Sequence, residues 1–377
     1  MRQAHVLLLL LAAVAAGGCA RDAFSRLPQG TLWYGDAAAA DAFLAQLQSL
    51  AGTPAAHAAG ELRERLDGCS RFLAFCPRGG SCRLQDAVTC EPADATATAA
   101  AAALGDAAWI FAGEPGGRRV YVRATPDEAA GWRFEAAVDR GAVGAVDAVL
   151  PAAEPPGRPT LAAHERLLHL HVRPDRKPDL EALAPDVGWV EQLYLLHHPL
   201  LSGHGLEGSW ELATYLPAAG EAMAPTVVAL AVREPEKARQ AMEDFLARAM
   251  ERWPLRRSDW SLEGAAGACL SNLNVLPQLA PCYVLTSDAL VIGWNATALE
   301  RALAAASGAA TAAAGSELSV DLASLPEADL RLQRAYGHPR PVPGSYPWSS
   351  LRVEGRREGG RYALQATLAG PPTAPAP

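Results

Sequence analysis

Lysine is almost missing from this chain. It stands only at Lys177 and Lys237, so nearly all of the 33 basic residues are arginine. Acidic residues outnumber them, 41 to 33, for a formal net charge of −8. There is no run of basic residues. An acidic chain of this kind lacks the sequence-level footprint of a nucleic-acid binder. Neither lysine follows a glycine, which excludes a P-loop. H-E-x-x-H is absent too: His164-Glu165 is followed by Arg166-Leu167-Leu168. There is no G-x-S-x-G elbow, and no C-x-x-C or C-x-x-H spacing for zinc. One phosphate-type motif does occur, Gly203-His204-Gly205-Leu206-Glu207-Gly208. A dinucleotide site needs a helix next, and Ser209-Trp210-Glu211-Leu212-Ala213 alternates like a strand. The segment reads as a glycine-rich turn, and no cofactor is expected.

What is present begins with a leader. Arg2 and His5 precede Val6 to Val14, an apolar run too short to span a bilayer. Small residues and then Cys19 follow. Residues 1–18 therefore read as a secretory signal peptide. Ala13-Val14-Ala15 fits ordinary cleavage. Ala16-Gly17-Gly18-Cys19 resembles the lipobox of bacterial lipoproteins, which implies lipidation of Cys19, although Ala16 stands where leucine is commoner. Several acyl chains give lasting attachment, at about 0.8 kcal/mol per buried methylene. By the same resemblance, Ala20 in place of Asp implies the outer membrane. The expected location is the periplasmic side of a bacterial envelope.

The seven cysteines are at 19, 69, 76, 82, 90, 269 and 282. Assigning Cys19 to lipid leaves an even six, suited to three disulfides in an oxidising compartment. Cys269 and Cys282 stand apart from the rest and are expected to pair. For the other four, the nested arrangement Cys69–Cys90 with Cys76–Cys82 has nearly constant index sums, as an antiparallel hairpin requires. Cys69–Cys76 with Cys82–Cys90 remains open.

The scarcity of lysine beside heavy use of alanine, glycine and proline fits a GC-rich genome. Alanine is then a weak helix signal, and the larger residues must carry the reading. A strand ends at Tyr34, and Asp36 can cap a helix with Phe43, Leu44 and Leu47 on one face. Hairpins are expected at 108–123, 282–294 and 351–368. Glu234-Pro235 opens a helix whose stripe is Ala238, Met242, Phe245, Ala249 and Trp253. Asn295 or Thr297 caps the next one. Strand-then-helix units at 31–50, 227–253 and 282–306 give an α+β fold: antiparallel sheets with amphipathic helices packed on one face. The recurring unit hints at two related halves, with no residue-level repeat to establish them. The expected division is 19–150, which holds the cysteine cluster, a Pro-rich linker at 151–159, then 160–370. A disordered tail is expected at 371–377.

Leu27-Pro28-x-x-Thr31, the run Thr286 to Gly293 followed by Ala298 to Leu303, and Leu351 to Gly355 together resemble pieces of a bacterial exported-protein family known only as a domain of unknown function. The resemblance covers about a third of the chain and implies an α+β fold on the envelope side of the membrane, with no catalytic residues to transfer. The cysteines depart from it.

Six of the nine histidines lie between 164 and 204: His164, His169, His171, His197, His198 and His204. His169 and His171 share one side of the strand Leu167–Val172, opposite Leu168 and Leu170. That is a possible metal geometry, but with no evident carboxylate companion it reads as the polar, solvent-facing side of a half-buried strand. The expectation is a tethered, non-enzymatic envelope protein that binds or scaffolds an envelope protein or a small apolar ligand. A metal-dependent hydrolase using the 164–204 segment is one alternative, and a carrier of an apolar ligand is another.

Overall fold

The computed structural model describes residues 27–50, 54–79, 82–114, 118–127, 131–141, 150–157, 160–175, 205–252, 254–262, 264–271, 280–304, 315–336 and 346–371. The leader, Cys19, His197, His198, His204 and the tail from 372 lie outside them. Among the described residues there are sixteen strands and six helices, an α+β fold built of antiparallel strand pairs. None of these helices is long and apolar enough to cross a membrane. The chain divides into two compact units, Met1–Ala142 with Val342–Pro377, and Val143–Pro341. The final hairpin is thus grouped with the first unit, whereas the sequence reading kept it with the second half.

In the first unit β1 (Gly30–Asp36) runs into helix α1 (Ala37–Gln48). Asp36 caps α1 by accepting from the Ala39 amide at 2.8 Å, a contact of the kind that contributes about 1 kcal/mol. Helix α2 (Pro54–Leu66) precedes β2 (Arg71–Pro77) and the short β3 (Val88–Cys90). Helix α3 (Ala95–Leu104) leads to β4 (Trp109–Gly113), β5 (Val120–Asp127) and β6 (Gly131–Asp139). The strand order is β3-β2-β1-β4-β5-β6. The last hairpin, β15 (Ser350–Glu358) with β16 (Arg361–Ala369), lies along β6, where the Arg140 amide donates to Gly360 O at 3.3 Å.

Adjacent residues of β4 separate the two faces of this sheet. Ile110 joins a core with Leu32, Tyr34, Leu73 and the alanines of α3. Trp109 faces the other way, where Phe43 of α1 meets Trp109, Trp132, Phe134 and Trp348 at centroid distances of 5.2 to 6.2 Å. Helices therefore cover both faces, not the single face expected from sequence. Gly35 makes room for the aromatic packing, since a Cβ there would lie 2.5 Å from Trp109 Cβ. Gln46 of α1 accepts from two indoles, Trp132 Nε1 at 2.8 Å and Trp348 Nε1 at 3.1 Å.

The cysteine pairs are Cys69–Cys90, Cys76–Cys82 and Cys269–Cys282, with Cα separations of 5.2, 5.6 and 4.0 Å. The nested arrangement is the one present, because β2 and β3 form the antiparallel pair that it requires. Three disulfides belong to an oxidising compartment outside the cytoplasm.

The second unit contains β7 (Arg166–Val172), β8 (Leu206–Tyr215), β9 (Thr226–Val232), helix α4 (Pro235–Arg252) and β10 (Arg256–Leu262). Then come β11 (Ala265–Ser271), β12 (Cys282–Leu285), β13 (Ala289–Gly293), helix α5 (Ala296–Leu303), β14 (Ser316–Asp321) and helix α6 (Leu325–Tyr336). Within it the strands run β10-β11-β12-β13-β9-β8-β7-β14. Ala238, Met242, Phe245 and Ala249 of α4 pack with Leu230 and Leu290 on one face. Leu299 and Ala302 of α5 pack with Val227, Ala229 and Val291 on the other. Leu299 is fully buried, and burying a side chain of that size contributes about 1.5–3 kcal/mol. Asn295 is the cap of α5, accepting from the Ala298 amide at 2.8 Å. The segment expected as a linker is tied into this unit where it is described. Pro151 bridges to Pro174, and the Ala152 amide donates to Arg173 O at 2.7 Å.

Candidate functional site

In β7 the alternation of apolar and polar residues sends Leu168 and Leu170 to one face and His169 and His171 to the other. The sequence reading put the histidines in solvent. The structure does the reverse: His169 is 5% exposed and His171 is 3% exposed, while Leu168 and Leu170 are only half-buried. The reason is the sandwich. Both faces of the sheet are covered, and the histidine face continues the core that lies under α5.

The carboxylate companion missing from the sequence reading is Glu211. In the β7–β8 register it stands directly opposite His171, and His169 stands opposite Ala213. Glu211 is 2% exposed. Its Oε1 lies 2.7 Å from His169 Nε2, and Arg166 Nη1 is 3.9 Å from the same oxygen. Its Oε2 accepts from the backbone amides of Thr160, at 2.6 Å, and Leu161, at 3.1 Å. Two residues further along the strand face, the Tyr215 hydroxyl donates to Ala162 O at 3.1 Å. The Ala162 amide donates to Ala302 O of α5 at 2.7 Å. Glu211 and Tyr215 thus fasten the segment 160–162 across the sheet. One signal could have identified Glu211: β8 alternates with Ser209, Glu211, Ala213 and Tyr215 on one side, and a carboxylate in that row has to find partners if the row is buried.

Burial holds the His171 imidazole below its ordinary value of 6.5, with the nearby Glu211 carboxylate opposing that shift. Burial raises the Tyr215 phenol well above its ordinary value. Both groups are therefore neutral near pH 7. The His169 and His171 rings are 6.3 Å apart. His171 Nδ1 and Ser209 Oγ are buried and make no hydrogen bond.

Chemically, a carboxylate on an imidazole fixes the ring and its tautomer, as in the orienting half of a catalytic triad. Here the second carboxylate oxygen is used by two backbone amides, and among the described residues no hydroxyl is hydrogen-bonded to either ring. Among the described residues, no three His, Cys, Asp or Glu side chains are grouped so as to hold a metal ion. His164 is exposed, beside Glu165 at 3.7 Å, and is not part of the cluster. Of the glycine-rich motif, Gly203 and His204 lie outside the described residues; Leu206 to Tyr215 is the strand expected there and takes in Leu206 to Gly208, and Gly205 and Gly208 take positive φ.

These features define an antiparallel α+β protein with a buried polar clamp in its second unit. No protein-family model, curated protein or solved structure matches the chain.

Proposed function

We propose that the chain is an exported, lipid-tethered protein of the bacterial envelope, with Cys19 acylated and the body binding or scaffolding another envelope component without catalysing a reaction. The observation that carries the tether is the cysteine pairing. Three disulfides use six of the seven cysteines and leave Cys19 as the odd one. A free thiol in an oxidising compartment invites unwanted exchange, and thioether lipidation removes it. Ala20 supports the outer membrane as destination. The saturated bonding of Glu211 supports a non-enzymatic body, because a carboxylate engaged by two amides and an imidazole already has a structural role. In a bacterial host, labelled palmitate is expected to enter the wild type and not Cys19→Ser. Equal labelling of the two refutes the tether.

A second reading, a metal-dependent hydrolase, draws on one observation. His169 is hydrogen-bonded to Glu211, His171 stands opposite Glu211 in the register, and among the described residues His171 Nδ1 has no hydrogen-bond partner. It requires further ligands, and His197, His198 and His204 are the histidines left to supply them.

A further inference from the structure

We propose that one end of the first unit's sheet is an electrostatic docking surface for anionic phospholipid headgroups, lying at the pole nearest the lipid anchor. The inference rests on the reading of Cys19 as lipidated, and it adds a second contact to that anchor.

The register brings the relevant strand ends together. Gly30, which opens β1, faces Pro77, which closes β2, and the Arg78 amide donates to Gln29 O at 3.3 Å. Gly113 faces Val120, and Val120 faces Val138. The Asp139 amide donates to Arg119 O at 2.9 Å, and Arg140 bonds to Gly360. Arg361 faces Glu358 at the tip of the last hairpin. All these residues are at the same end of the sheet, which is also the end where the chain enters from the N-terminus.

Among the described residues that end carries more arginines than carboxylates. Arg78, Arg119, Arg140, Arg356, Arg357 and Arg361 reach solvent there, against the carboxylates of Glu114, Asp139 and Glu358, with Glu354 two residues back along β15. The 82–87 loop adds one charge of each sign, Arg83 and Asp86. Glu114 is shared by Arg78 at 3.3 Å and Arg119 at 3.6 Å, so one carboxylate serves two guanidiniums. The buried Tyr121 ring has the Arg119 and Arg361 guanidiniums at 5.3 and 5.6 Å, and those contacts hold the two cations at the rim. The whole chain carries −8, so this local excess of positive charge among the described residues is not a consequence of composition.

Position supplies the occupant. Cys19 precedes Leu27 by eight residues, and no chain of that length reaches further than about 28 Å. An acylated Cys19 therefore keeps this sheet end within reach of the bilayer surface. Where the end meets that surface, its basic side chains are attracted to anionic headgroups, an attraction that fades within a Debye length of about 8–10 Å. Lipid and basic patch then act as two anchoring signals, the second of which orients the body.

The test uses the mature chain carrying Cys19→Ser, made without leader or lipid, so that the patch acts alone. Co-sedimentation is measured with vesicles of phosphatidylcholine and with vesicles of phosphatidylcholine and phosphatidylglycerol in equal parts. At low ionic strength, binding to the anionic vesicles is expected to exceed binding to the neutral ones by at least about tenfold. Each arginine near the surface is worth about fivefold. The triple variant Arg78→Gln, Arg356→Gln, Arg357→Gln is expected to lose most of that excess. The control Arg239→Gln, Arg248→Gln on α4 keeps it, and circular dichroism verifies that both variants are folded. Equal binding to the two vesicle types, or full binding by the triple variant, overturns the proposal. Palmitate labelling separates the two readings. Labelled Cys19 without vesicle binding sinks the patch alone, and vesicle binding with unlabelled Cys19 sinks the tether alone.

Discussion

Replacing Glu211 with alanine tests the clamp reading where it is most exposed to failure. The substitution removes the acceptor for the Thr160 and Leu161 amides and the partner of His169. A hydrogen bond to a charged group contributes about 1.5–3 kcal/mol net, and each buried donor left without a partner costs about 1–3 kcal/mol. Thr160 is half-buried and can turn to water, whereas Leu161 is 4% exposed and cannot do so without opening the core. The expected loss is therefore about 3–5 kcal/mol in urea denaturation. Glu211→Gln keeps one oxygen for the amides and offers an amide N–H to the ring, so it should cost about 1–2 kcal/mol. Hydrogen exchange gives the local signature: the Thr160 and Leu161 amides should lose protection in Glu211→Ala while the β12–β13 hairpin keeps it. A variant within about 1 kcal/mol of wild type, with both amides still protected, would refute the clamp.

Gln46→Ala removes the acceptor shared by two indoles of the first unit, and should lower stability by about 1–3 kcal/mol, read as a fall in Tm with altered tryptophan fluorescence; an unchanged Tm counts against the shared bond. Stability should also fall as the pH drops below 6.5. A buried imidazole whose folded pKa is depressed stabilises the fold fully above its unfolded value of 6.5, and that contribution is lost as protonation is forced below it. The groups facing His171 are Glu211, His169, Glu317 and Arg166. Thermal melts from pH 7.5 down to 5.5 should therefore slope downward in wild type and flatten in His171→Asn; equal slopes in the two would assign the effect elsewhere. Glu243 is held below its ordinary 4.5 first by the Arg257 hydrogen bond, so its contribution persists until lower pH and does not mimic this slope.

Much of the fold could be read from local signals. Asp36 before an apolar stripe, Pro235 at the start of α4, and turns between β-branched runs each give the backbone one cheap solution, and the structure adopts it. The disulfide nesting was legible because an antiparallel pair conserves index sums. The β10–β11 hairpin was missed since Arg256, Arg257, Ser258 and Asp259 lie on an exposed strand with no apolar alternation to announce it. Helix α6 was missed as well, its Pro326 and mixed charges giving a weak stripe. The site failed for a different reason. Alternation shows that His169 and His171 share a face, but it does not show which face is covered. That depends on α5 and segment 160–162 closing over the sheet, and on Glu211, forty residues away, arriving opposite. The basic sheet end was invisible for the same reason, since its arginines are scattered from 78 to 361.

The central claim is that the histidine cluster holds the fold together and does no chemistry. Elemental analysis of the mature protein, purified without added metal, tests it directly. Bound zinc of structural quality is held by about 10–16 kcal/mol near neutral pH and survives purification. The account predicts no zinc near stoichiometry in the wild type. One zinc per chain, lost in the His169→Ala, His171→Ala double variant, would contradict it and favour the hydrolase.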